Sequence, residues 1–109
     1  MENYLPIALK LAREFDEEVV KDLVRKAMEK GDEETERLAS IVDYLLNERL
    51  EVPLGENERV RKAYEAYVSA KTGLIKELTK ELLKRLSDND PLVVSLLESP
   101  GPMRPNTYI

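Results

Sequence analysis

Residues 57–86 read NERVRKAYEAYVSAKTGLIKELTKELLKRL, and the way this stretch winds decides the fold. At roughly 100° per residue, Val60, Tyr64, Tyr67, Leu74, Ile75, Leu78 and Leu82 share one stripe, the pattern of an amphipathic helix. Asn57 is a good helix cap, and no proline interrupts the run until Pro91. A helix from about Glu58 to Leu86 is on the order of 45 Å long. Gly73 near its middle weakens it by up to about 1 kcal/mol relative to alanine, so the spacing suggests a bend there or the close approach of another helix.

The flanking segments continue the helical pattern. Asn3 caps a first helix with Pro6 in its opening turn, running to about Arg13 or Phe15. Asp16 caps EEVVKDLVRKAMEK, whose Val20, Leu23, Val24, Ala27 and Met28 form a stripe, and Gly31 is read as its left-handed stop. Asp32 opens EETERLASIVDYLLNERL, with Leu38, Ile41, Val42, Leu45 and Leu46 directed inward and acids in the first turn, where the helix dipole favours them. EVPLGEN is a loop by its Pro, Gly and Asn. After the break at SDNDP, Asp90 caps a short helix, PLVVSLLES, with Pro91 at its first position. The two DEE starts, at Asp16 and Asp32, are helix caps rather than the register of a repeat.

The expectation is therefore an all-α fold. Four main helices form a four-helix bundle-like domain with a short fifth helix over residues 1–99, and the Pro-rich C-terminal tail, residues 100–109, lies across the bundle. The first helix, apolar over about half its circumference, is expected to be the most enclosed element.

Composition narrows the function. The 109 residues suit one domain; 42% are hydrophobic and 36% charged, with a formal net charge of −5 and a pI near 4.9. Basic residues interleaved with acids argue against a duplex nucleic-acid partner, which needs clustered Lys and Arg. The longest apolar run is far short of a membrane span, and MENYLPIALKLAREF has neither a basic start nor a small-residue cleavage site, so a cytoplasmic protein is expected.

The chain contains no Cys and no His. Ser-His-Asp triads, Cys-His dyads, common zinc sites and ordinary haem ligation are excluded. Carboxylate-metal bundles add Glu-x-x-His pairs that cannot exist here, and the acids fall in caps or on outer faces, so no metal site is expected. Four glycines make neither a phosphate-cradling loop nor a calcium loop, and no cofactor is implied.

Lys71 is the residue that breaks the pattern, because it lies at the centre of the apolar stripe of the long helix. A desolvated amine loses charge and becomes a nucleophile able to form a Schiff base with a carbonyl substrate. Tyr67 one turn before it and Tyr64 two turns before it are placed to orient a carbinolamine or move a proton, as aldol or retro-aldol chemistry requires. Three structural readings compete. The amine pairs with an acid of a facing helix, it snorkels to water beside Gly73, or the helix is rotated so that Ala70 and Leu74 carry the contact. Arg49 needs no such account, since a cation in a last turn meets orphan carbonyls.

The five tyrosines serve wet binding surfaces or half-buried helix faces equally well. PMRP, Pro102–Pro105, fits a PxxP spacing and offers a peptide-ligand role for the tail, against the alternative that Met103, Tyr108 and Ile109 fold back on the bundle.

The chain lacks His, Cys, Trp and Gln, fills its helices with Glu, Lys, Arg, Leu, Ala and Val, and places caps at Asn3, Asp16, Asp32, Asn57 and Asp90. In this it resembles a computationally designed, idealised helical protein over residues 1–99. Proteins of hyperthermophiles share the ion-pair-rich surface, and the uneven helix lengths and irregular tail depart from an idealised symmetric bundle. The expected function is a compact scaffold or binding module without catalytic activity, binding a protein or small-molecule ligand. The alternatives are a pocket enzyme using Lys71, Tyr67 and Tyr64, and the tail as a peptide ligand.

Overall fold

The computed structural model describes residues 3–50, 55 and 57–98. These form an all-helical fold of five α-helices: α1 Leu5–Arg13, α2 Glu17–Lys30, α3 Glu33–Asn47, α4 Glu58–Leu86 and α5 Pro91–Glu98. The proposed tail, 100–109, lies outside the described residues, as does most of EVPLGEN.

Local chemistry sets most of the helix ends. Asp16 accepts from the Glu18 amide, Asp32 from Thr35 and Asn57 from both Arg59 and Val60, so each satisfies amides left orphaned by a first turn. Asn3 bonds the Leu5 amide, and Asp90 bonds that of Leu92. Asp88 and Asn89, at φ 53° and 56°, turn the chain between α4 and α5, and the Asn89 amide closes that turn on the Lys84 carbonyl. Asp and Asn are among the few non-glycine residues that enter this left-handed region readily.

Gly31 works differently from the expected left-handed stop. Its backbone is extended (φ −76°, ψ 163°). What it requires is the absence of a side chain: a Cβ there would lie 2.6 Å from the Ala27 carbonyl oxygen and 2.7 Å from Cγ2 of Thr35. The tight α2–α3 corner that glycine permits brings Ala27 and Ala39 into one core.

The core gathers Val20, Leu23, Val24 and Ala27 of α2, Ala39 and Val42 of α3, and Ile75, Leu82 and Leu83 of α4, with Ala8, Leu11, Val93 and Leu97 from α1 and α5. α3 packs against both α2 and α4, while α1 packs chiefly on α5. Ion pairs Glu34–Arg85 and Glu48–Lys71 set α3 and α4 antiparallel. For its length the most enclosed helix is α2, with four buried side chains among 14 residues, whereas α1 buries only Ala8 and Leu11. Leu9 of α1 is left exposed to solvent. Met28 and Ile41, assigned inward by period, are likewise exposed at the margins of their stripes.

The long helix is divided. No side chain of α4 is buried before Ile75, so Glu58 to Leu74, about 25 Å of helix, runs beyond the core. That overhang carries the candidate site.

Candidate functional site

α3 ends at Asn47. The Glu48 amide still donates to the Tyr44 carbonyl, and the backbone then turns extended (φ −66°, ψ 133°). The orphan carbonyls of this last turn find cations. Arg49 Nη1 donates to the Leu46 oxygen at 3.0 Å and to the Glu48 oxygen at 3.1 Å, and Lys71 Nζ donates to the Glu48 carbonyl oxygen at 3.0 Å. Cations at a helix C-terminus also meet the negative end of the dipole.

The same Lys71 ammonium pairs with the Glu48 side chain, Nζ to Oε1 at 2.9 Å. Tyr67 donates its hydroxyl to that oxygen at 2.5 Å. Two donors on one carboxylate oxygen make a charge-assisted cluster, and the lysine and glutamate side chains are only 18% and 20% exposed. The bond from Lys71, and after it the bond from Tyr67, hold the Glu48 carboxyl below its usual range. The Tyr67 phenol is pushed up to about 12, first by its bond to Glu48, because ionising it would set an anion against a carboxylate.

Lys71, Tyr67 and Tyr64 therefore lie together on α4, with the Tyr64 and Tyr67 rings 6.5 Å apart and tilted by 39°. They line a cleft of about 400 Å³ with Leu50, Val68 and Ile75 as its apolar wall. The residue that sequence reasoning did not single out is Glu48. The only signal for it was a cation in an apolar stripe, which calls for an acid, but 22 acids were available.

What this arrangement can do follows from its bonds. To attack a carbonyl the amine has to leave both acceptors and surrender a proton, stranding a half-buried carboxylate. A phenol ionising near about 12 is a poor proton shuttle at neutral pH. The trio is arranged to hold α3 to α4.

A larger hollow, about 480 Å³, lies among Tyr4, Gly31, Asp32, Arg85 and Ser87. Its polar groups already serve the fold. Asp32 caps α3, and its carboxyl is held down by the Thr35 amide. Arg85 Nη1 pairs with Glu34 at 2.9 Å, and its Nε lies 3.4 Å from Glu81 without forming a hydrogen bond. Among the described residues no group of three or more carboxylates is placed to hold a metal ion, and no helix is long and apolar enough to cross a membrane.

No protein-family model, curated protein or solved structure matches the chain.

Proposed function

We propose that the protein is a non-catalytic binding module: a four-helix bundle-like scaffold whose cleft, floored by Glu48, Lys71 and Tyr67, receives a ligand with an apolar body and an acidic group. One observation carries the reading. The Lys71 ammonium is tied to both the carbonyl and the carboxylate of Glu48, so the polar floor is fixed before any ligand arrives, and preorganisation lowers the cost of binding. Leu50, Tyr64, Val68 and Ile75 supply the apolar contact. Among the described residues the lining cations Arg49 and Lys71 outnumber the acid Glu48, a balance of +1 on a chain whose net charge is −5. That imbalance favours an acid over a neutral ligand. The deliberate caps and the restricted residue set support a designed origin for such a scaffold.

Titration of the ¹⁵N-labelled protein with phenylacetate and with its uncharged counterpart phenylacetamide tests this. Saturable amide shifts at Leu50, Tyr64, Val68 and Ile75, weaker with the amide and lost in Tyr64→Ala, are expected. Shifts scattered over the surface, or indifferent to Tyr64→Ala, overturn the proposal.

The second reading, a Schiff-base enzyme, has in its favour that Lys71, Tyr67 and Tyr64 share the cleft. It requires turnover of a carbonyl substrate that disappears in Lys71→Ala.

A further inference from the structure

The donors that line the cleft are unequally used. Tyr67 gives its only proton to Glu48, Thr72 gives its hydroxyl to the Val68 carbonyl oxygen at 2.9 Å, and Lys71 directs its ammonium at both the carbonyl and the carboxylate of Glu48. Arg49 differs from all of these. It follows the C-cap Glu48 and is exposed. Its Nη1 donates to the Leu46 oxygen at 3.0 Å and to the Glu48 oxygen at 3.1 Å, which uses both hydrogens of that nitrogen. The hydrogens on Nε and Nη2 have no acceptor among the described residues. Because a guanidinium is rigid and planar, tying Nη1 at two points fixes the plane of the whole head.

We propose that Arg49 grips the acid of the ligand through the edge formed by Nε and Nη2, so that the cleft selects small carboxylates with an apolar body. This inference rests on the binding-module reading and names the atoms that carry it out. The N–H bonds of Nε and Nη2 run parallel along one edge of the guanidinium, at the spacing of the two oxygens of a carboxylate, and the pair meets fork to fork. The ties to Leu46 and Glu48 leave that edge whole, and they order the side chain before a ligand arrives, which removes part of the entropic cost of binding.

Lys71 is less suited to the task. An ammonium is a point charge without a fork, and turning it toward a ligand breaks its bonds to Glu48. Oε1 of Glu48, the carboxylate nearest in sequence, is taken by Lys71 and Tyr67. The apolar body has Leu50, next to Arg49 in the chain, and Tyr64 and Val68 of α4 to lie against. Two lining cations, Arg49 and Lys71, stand against one lining acid, Glu48, among the described residues. That balance suits a monoanion, and so a carboxylate rather than a phosphate dianion.

Titration of ¹⁵N-labelled wild type, Arg49→Lys and Arg49→Ala with phenylacetate, phenylacetamide and phenyl phosphate tests the proposal. In the wild type the Arg49 Nε–H resonance is expected to move downfield with phenylacetate and to hold its place with phenylacetamide. That signature needs no variant, so it stands even where a substitution loosens the end of α3. Arg49→Lys keeps the charge and loses the fork. It is expected to weaken phenylacetate binding by roughly tenfold, the worth of a charge-assisted hydrogen bond, with Arg49→Ala at least as weak and phenylacetamide changed by less than about threefold in both. Equal losses for the acid and the amide would make Arg49 a structural cap only. Full phenylacetate affinity in Arg49→Lys would show that charge suffices, and tighter binding of phenyl phosphate would name the wrong ligand class. Each of these three results overturns the inference and leaves the cleft as a binding site. A wild type that does not bind phenylacetate at Leu50, Tyr64, Val68 and Ile75 overturns the binding-module reading, and the inference with it.

Discussion

The Nζ of Lys71 lies 2.9 Å from Oε1 of Glu48 and 3.0 Å from the same residue's carbonyl oxygen. One ammonium thus neutralises a carboxylate and completes the end of α3. The α3 terminus is tied to α4 at a point where the hydrophobic core has already ended, since α4 buries no side chain before Ile75. The core's last apolar contacts and this polar latch follow one another along the same helix.

Lys71→Met removes the latch and leaves the Glu48 carboxylate without its cation. The melting temperature is expected to fall by about 5 °C, and amide exchange at Glu48 and Arg49 is expected to quicken while exchange at Leu82 and Leu83 keeps its slow class. In a double-mutant cycle, Glu48→Gln on the Lys71→Met background should cost less than on the wild type, because the two residues act as one unit. Additive effects in thermal melts would show that they do not.

The latch also sets a pH dependence. The folded Glu48 carboxyl is held below its ordinary value of 4.5, so its contribution is fully present above 4.5 and is lost as pH falls through the depressed folded value. The Tyr67 phenol is raised from 10.0 to about 12, so its contribution is complete below 10 and fades as pH rises toward 12. Urea midpoints of wild type and Glu48→Gln should therefore differ by a constant amount between about pH 6 and 9 and converge as the solution is acidified below 4.5. A difference that grows on acidification contradicts the assigned bonds.

Two glycines are expected to respond in opposite directions. Gly31→Ala forces a Cβ to 2.6 Å from the Ala27 carbonyl oxygen and destabilises the α2–α3 corner. Gly73→Ala adds a methyl to open space in mid-helix and stabilises by about 0.5 to 1 kcal/mol. Thermal melts at low protein concentration distinguish the two.

Core and overhang should differ as sharply. Leu82 and Leu23 are fully buried, and replacing either by alanine costs about 2 to 5 kcal/mol. Leu74→Ala, half exposed on the overhang, is expected to cost less than about 0.5 kcal/mol. Denaturant unfolding measures all three.

These contrasts show what a linear pattern can and cannot carry. Caps are local, so Asp16, Asp32 and Asn57 marked helix starts without any knowledge of the fold. The 3.6-residue period told which residues of α4 share a face, and Ile75, Leu78 and Leu82 do turn to the core. A period reports a face, however, and not whether anything lies against it. Tyr67 and Leu74 sit on the same stripe as Leu82 but beyond the reach of α2, and so they are exposed.

The site was half legible for the same reason. Lys71, Tyr67 and Tyr64 are neighbours by helical arithmetic alone. Glu48 comes from a chain turn 23 residues away, after the helical period of α3 has stopped, and only tertiary packing brings it in. Gly31 was read by the commoner role of glycine at a helix end, while the fold uses its lack of a Cβ.

Reductive trapping with an aromatic aldehyde and cyanoborohydride at neutral pH, with the adducts mapped by peptide mass spectrometry, tests most directly whether Lys71 is a latch or a nucleophile. The exposed lysines Lys10, Lys21 and Lys62 are expected to be modified first, and Lys71 only after Glu48→Gln has removed its carboxylate. Preferential labelling of Lys71 in the wild-type protein would contradict the account.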